Sequence, residues 1–103
     1  MYTIEYLPAA VSDMAEIAAY IGVKLSNPAA AERLAEEMVS AIEKLADMPY
    51  KCGVYTPVRA LKHEYRKLFV QNYIVFYYID EDENVVTVAR VIYARRDYGT
   101  VLK

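Results

Sequence analysis

Apolar and polar positions along the chain follow two periods, and the change from one to the other divides it. Val11, Met14, Ile17, Ala18, Ile21 and Leu25 recur at helical spacing, with Asp13, Glu16 and Lys24 on other faces. Leu34, Met38, Ala41, Ile42 and Leu45 form a second stripe of the same period. Ser26-Asn27-Pro28 separates the two. Asn27 suits a helix N-cap and Pro28 a first helical position, where a missing N–H costs nothing. The pattern predicts one helix opening near Pro8 and a second that ends before Pro49. A connection this short forces the two into an antiparallel hairpin, and the small faces at Ala9, Ala10, Ala29, Ala30 and Ala31 allow close approach.

Residues 2–6 alternate weakly and read as a short first strand. Residues 49–60, with Pro49, Gly53 and Pro57, read as a loop. After them the period becomes two, and Val, Ile and Tyr predict strands over residues 64–70, 73–79 and 85–93. Gln71-Asn72 suits a two-residue hairpin turn, and Asp80 to Asn84 a second turn. The last two strands are apolar on both faces. They are therefore expected at the centre of the sheet, with the helices on one side and other material on the opposite side. The expected fold is α+β: an N-terminal strand, a two-helix antiparallel hairpin, then a three-stranded antiparallel meander, all strands in one sheet.

At 103 residues, a single domain spanning 1–103 is expected. The net charge of −2 conceals a segregation. Residues 1–48 carry eight acids against three bases, whereas residues 49–103 carry nine bases against six acids. Four of those six acids sit together at Asp80–Glu83, so the local field of the second half is strongly positive elsewhere. Cys52 is the only cysteine, which excludes an internal disulfide and fits a reducing cytoplasm. No segment approaches the roughly 18–20 apolar residues of a membrane span, and the N-terminus has no signal-peptide pattern. Neither a cofactor nor a metal is expected.

The chemistry-bearing residues gather around the last strand. Arg90, Tyr93, Arg95, Arg96 and Tyr98 fall at and just beyond it. Guanidinium groups and phenols at a sheet edge suit a phosphate backbone with a stacked base, and equally an acidic partner peptide. Arg90 lies mid-strand, on the face assigned by strict alternation to Val86, Val88 and Ile92. A structural ion pair with a helix Glu competes there with a functional role. Arg59 and Lys62 read equally as solvated loop cations and as binding groups. Tyr73, Tyr77 and Tyr78 read as packing residues rather than stacking platforms.

The stretches IEYLPAAVSDMAEIAAYI, NPAAAERLAEEMVSAIEKLADMP, YRKLFVQNYIVFYYID and VTVARVIYARRDY, in this order, resemble the RelE/ParE superfamily of bacterial type II toxins over nearly the whole chain. The resemblance implies a small cytoplasmic toxin that arrests growth and is masked by a cognate antitoxin. Two targets follow from it. RelE-like members cut mRNA on the ribosome, whereas ParE-like members poison DNA gyrase and need no catalytic set. On the RelE-like reading, Arg66 or Lys67, Arg95 and Tyr98 fall near the family's catalytic Lys, Arg and Tyr, so Arg66, Arg95 and Tyr98 form the candidate catalytic set. Leu68 and Ile74 stand where that branch carries two further cations, and His63 with Glu64 could substitute, as in family branches that use His and Glu. Arg59, Lys62, His63, Lys67, Arg90, Tyr93 and Arg96 are the candidates for nucleic-acid or target contact. The helical opening and the RVIYARRDY ending are closer to ParE. A third possibility is a toxin fold without toxicity that serves only as an antitoxin-binding or repressor-tuning subunit.

Overall fold

Strand β1, Thr3–Tyr6, feeds directly into helix α1, Pro8–Ala19, in a computed structural model that describes residues 1–56, 61–95 and 101–102. Pro8 occupies the first turn, where it needs no N–H partner. Leu7 serves both elements: its N–H donates to the Val88 carbonyl, and its own carbonyl accepts from Ala10 and Val11. Helix α1 then widens into a π-helical turn, Tyr20–Lys24, closed by the Leu25 N–H donating to the Tyr20 carbonyl at 3.0 Å. Ser26, at φ 51°, reverses the chain. Asn27 caps α2, Pro28–Glu43, its Oδ1 accepting from the Ala30 N–H at 3.1 Å. Helix α2 ends in a 3-10 turn at Lys44–Ala46.

The second stripe behaves as expected: Leu34, Met38, Ile42 and Leu45 are buried, and Ala41 packs against them. The first does so only in part. Met14, Ile17 and Ile21 pack on the core, but Val11 and Leu25 are exposed. Asp13, expected on another face, is buried instead.

Strands β2 (Arg66–Val70), β3 (Tyr73–Asp80) and β4 (Val85–Tyr93) form the meander, and β1 joins it parallel to β4, giving the order β1-β4-β3-β2. Strands β3 and β4 are thus central, as their two-sided apolar pattern requires. Both predicted turns form. Gln71 adopts φ 52° in the first, and in the second Asp80 Oδ1 accepts from the Glu83 N–H at 3.1 Å before Asn84 takes φ 55°.

One irregularity governs everything near the end of the sheet. Phe76 pairs with Arg90 but Tyr77 pairs with Val88, so Ala89 is an extra residue in β4. This bulge changes the parity of the strand. Val86, Val88 and Val91 pack on the helix side, whereas Ala89 and Ile92 pack on the other. Strict alternation had placed Arg90 on one face with Val86, Val88 and Ile92; the bulge moves Ile92 to the opposite face. The helix-side core joins α1, α2 and the sheet through Ala10, Leu34, Met38, Ile42, Leu68, Val75 and Tyr77. Behind the sheet, Ile74, Phe76 and Ile92 are covered by Tyr55, Leu61, Tyr65, Val101 and Leu102. Among the described residues no helix is long and apolar enough to cross a membrane.

Candidate functional site

Two clefts lie toward opposite ends of the central strands, and each is built around an arginine. The first forms where β2 begins. Arg66 lies on the helix side of the strand, in register with Leu68 and Val70, and its guanidinium donates to the Cys52 carbonyl at 2.7 Å and the Tyr50 carbonyl at 3.5 Å. The same group sits 5.0 Å from the centre of the Tyr50 ring, a cation–π contact. The Tyr50 hydroxyl donates to the Glu81 carboxylate, which pushes the phenol well above its usual range and keeps it protonated. His63 lies flat on Tyr78, with centroids 3.8 Å apart and planes 1° from parallel, and Tyr65 meets both rings edge-on. Tyr50, His63, Glu64, Arg66, Tyr78 and Glu81 line a cavity of 220 Å³.

The second cleft forms where β1 has run out. Beyond Val88 the edge of β4 has no strand beside it, and an unpaired buried N–H there would be costly. Asp13 takes the place of the missing strand. Its Oδ2 accepts from the Val91 N–H at 2.9 Å, while its two oxygens accept from Arg90 Nε at 2.7 Å and Nη2 at 2.8 Å. Arg90 is therefore held in a bidentate ion pair with a helix carboxylate, from Asp13 rather than from the Glu expected. This contact raises the arginine's pKa further, so the guanidinium stays charged. Beside it Glu16, Tyr20, Tyr73 and Tyr93 line a cavity of 160 Å³. Tyr73 and Tyr93 pack at 5.8 Å with planes 65° apart. Burial, then the neighbouring Tyr93 and Tyr20 hydroxyls, push the Tyr73 phenol upward.

The structure does not gather the sequence-predicted residues into one place. Arg66 pairs with Tyr77, whereas Arg95 follows Tyr93, which pairs with Tyr73. Four residues of β3 separate those rungs, about 13 Å along the strand at roughly 3.3 Å per residue. Lys67 points to the face opposite Arg66, with Nζ 5.9 Å from the ring centres of both Tyr55 and Phe69. Lys62 and Arg95 are exposed, and His63 is half-buried under its stacking partner. Arg59, Arg96 and Tyr98 lie outside the described residues. Tyr50, Glu81, Asp13, Glu16 and Tyr20 were not singled out from sequence. Tyr50 sits in the Pro/Gly loop, Glu81 within the acidic turn, and Asp13 and Glu16 look like ordinary solvated positions on an amphipathic helix.

Cleavage of RNA by its own 2′-OH needs a proton acceptor, a donor for the leaving oxygen, and cations converging on the phosphorane. His63 and Glu64 supply acceptors at the first cleft. Arg66 is the cation there, and its donors are already directed at backbone carbonyls. Among the described residues no His/Cys/Asp/Glu group is arranged to hold a metal.

The sequence matches a family model described as the ParE toxin of the type II toxin–antitoxin system, parDE, over residues 4–98. None of the curated proteins matches it. The fold is similar to that of a chain in the chromosomal ParDE system from P. aeruginosa, with TM-score 0.72 and 14% identity, covering 92% of this chain and 98% of that one. It is also similar to a chain of the RelBE2 toxin–antitoxin complex from Mycobacterium tuberculosis, with TM-score 0.63 and 20% identity over 89% and 96% of the two chains. A chain of the archaeal RelE–RelB complex from Pyrococcus horikoshii gives TM-score 0.60 at 13% identity, covering 92% and 97%.

Proposed function

The chain belongs to the ParE toxin family of type II toxin–antitoxin systems, and from that premise we propose that it arrests growth by binding DNA gyrase, not by cutting ribosome-bound mRNA. It is a toxin component with a cognate antitoxin as its partner. The observation that carries the gyrase reading is the state of the cations. Arg66 is held by two carbonyls and a phenol ring, Arg90 by Asp13, and Arg95 emerges near the other end of β3 from Arg66. Leu68 is buried in the helix-side core and Ile74 behind the sheet, at the positions where the nuclease branch carries further cations. A protein that acts by docking on a target protein needs no such convergence, and affinity for ribosomal RNA would call for a more basic surface than this chain's net charge of −2. The proposal places a single toxin domain, residues 1–103, in the cytoplasm.

Pulse labelling after induction in cells lacking the antitoxin tests the target. DNA synthesis should fall before protein synthesis, with a DNA-damage response. The purified protein should also inhibit supercoiling by gyrase. Protein synthesis falling first, with cuts in ribosome-bound mRNA, would overturn the gyrase reading and move attention to the cleft of His63, Glu64 and Arg66. Growth that continues unchanged would leave an antitoxin-binding subunit without toxicity.

A further inference from the structure

Glu16, Tyr20, Tyr73 and Tyr93 surround a cavity to which the ion pair beside it contributes no net charge. Asp13 and Arg90 neutralise one another through two short contacts, so the carboxylate of exposed Glu16 is in excess at the rim. Three phenol rings meet it. Two of them, Tyr73 and Tyr93, cross at 65°. The two departures from regular structure nearby both shape this spot. The π-helical turn starts at Tyr20, and the β4 bulge at Ala89 brings Arg90 and Val91 onto Asp13. Such irregularities re-aim side chains and concentrate at functional sites. Beyond the cavity the hairpin tip presents exposed apolar side chains, Tyr20 at 52%, Val23 at 79% and Leu25 at 54%. Contiguous apolar exposure of this kind marks a surface that a partner covers.

We propose that this cleft receives one arginine side chain of the cognate antitoxin, with the antitoxin's neighbouring apolar residues covering the hairpin tip. A guanidinium matches it in three ways: it is planar and stacks on phenol rings, it pairs with Glu16, and its weak hydration makes transfer into a partly closed aromatic cavity cheaper than for an ammonium. A neutral or acidic side chain would leave Glu16 uncompensated. The inference rests on the toxin–antitoxin reading and adds the chemistry of one contact. That contact is cationic on the antitoxin's side, opposite in sign to an acidic segment meeting the basic half of the chain.

The test has two measurements. In the first, the antitoxin encoded beside this chain is titrated by calorimetry into wild type, Glu16→Gln and Glu16→Lys, with urea denaturation confirming that each variant is folded. Affinity should fall about fivefold for Glu16→Gln and about thirtyfold for Glu16→Lys, because a like charge would then face the incoming guanidinium. Equal affinities for all three would overturn the inference while leaving the antitoxin partnership intact. In the second, arginine amide is titrated into the toxin alone, followed by the ring resonances of Tyr73 and Tyr93, with citrulline amide, whose side chain is uncharged, as control. Saturable shifts with arginine amide that weaken in Glu16→Gln support the cleft. Absent shifts, or equal shifts with citrulline amide, overturn it. Failure of wild type to bind the antitoxin would instead tell against the toxin reading, and the arginine amide titration would still decide the cleft.

Discussion

The two clefts lie toward opposite ends of the central strands, and the arginines beside them, Arg90 and Arg66, flank β3 opposite Phe76 and Tyr77 and are held by different kinds of group. A carboxylate holds Arg90, through contacts of 2.7 and 2.8 Å to Asp13. Backbone carbonyls and a ring face hold Arg66. Asp13 cancels the charge of Arg90, which leaves Glu16 as the unpaired charge lining that cavity. Carbonyls cancel nothing, so Arg66 keeps its charge at the other end, faced by Glu64 and Glu81 across the cavity. The position of a cationic residue in a sequence says little about its availability; the partner that holds it decides.

Removing the two anchors should break this comparison or sharpen it. Asp13→Ala leaves Arg90 partly buried without a counter-charge and takes the acceptor from the Val91 N–H, so a loss of about 3 kcal/mol is expected. Arg66→Ala leaves carbonyls that water can reach from the open cavity, and the expected loss is about 1–2 kcal/mol. Urea denaturation of both variants measures the difference directly. An Arg66→Ala loss equal to or larger than that of Asp13→Ala would mean that the carbonyl cradle is as closed as the ion pair, and the contrast between the two ends would fail.

Much of the frame was legible because it rests on local rules. Asn27 and Pro28 mark a helix start in any context, Gln71-Asn72 marks a hairpin, and the two-sided apolar pattern of Ile74–Tyr77 and Val86–Ala89 places those strands at the centre. The parallel docking of β1 on β4 was not legible, because short alternating strands such as Thr3–Tyr6 carry no signal of which neighbour they choose. Nor was the Asp13–Arg90 pair. The two residues are 77 positions apart, and Asp13 becomes buried only because β1 ends at Tyr6 and leaves the Val91 N–H to be satisfied. The bulge at Ala89 defeated strict alternation, since one extra residue exchanges the faces of everything that follows. At the first cleft, His63 and Glu64 were named from their place beside the strand and Arg66 from the family resemblance, but Tyr50 and Glu81 came from a loop and a turn whose composition marks them only as solvated. Long-range partners and register are what a single sequence hides.

A smaller effect comes from the tyrosine at the heart of the helix-side core. Tyr77 is fully buried, and its hydroxyl donates to the Pro49 carbonyl at 2.7 Å, tying the loop that carries Tyr50 and Cys52 to β3. Tyr77→Phe should cost about 1 kcal/mol at neutral pH. Its alkaline behaviour separates it from the two arginines. Burial, followed by the contact with Cys52, raises the phenol's pKa well above its ordinary value of 10.0, and burial raises those of Tyr6, Tyr65 and Tyr73 as well. The unfolded chain then releases these protons first. Stability should be complete below pH 10 and fall as the pH rises beyond it, and Tyr77→Phe should make that fall shallower because Phe does not titrate. Urea midpoints measured on either side of pH 10 read both slopes. Parallel slopes for wild type and variant would show that Tyr77 does not carry the alkaline loss.

The smallest structural effect is expected where a nuclease would show the largest functional one. His63 stacks on Tyr78 near the surface, so His63→Ala should cost less than about 1 kcal/mol, within the range of aromatic pair contacts. Glu64 is exposed and should add little when changed to Ala with it. A general acid or base typically contributes about 100- to 10,000-fold to a rate, so the double variant of a nuclease working at this cleft would lose its growth arrest while keeping its fold. The gyrase reading predicts the reverse. Arrest should persist at wild-type strength, because no proton is transferred at the cleft and binding depends on surfaces elsewhere. Loss of arrest in a double variant with an unchanged urea midpoint would turn the comparison around. The Arg66 end would then be the site of chemistry, with Arg66 as the cation nearest the reacting phosphate.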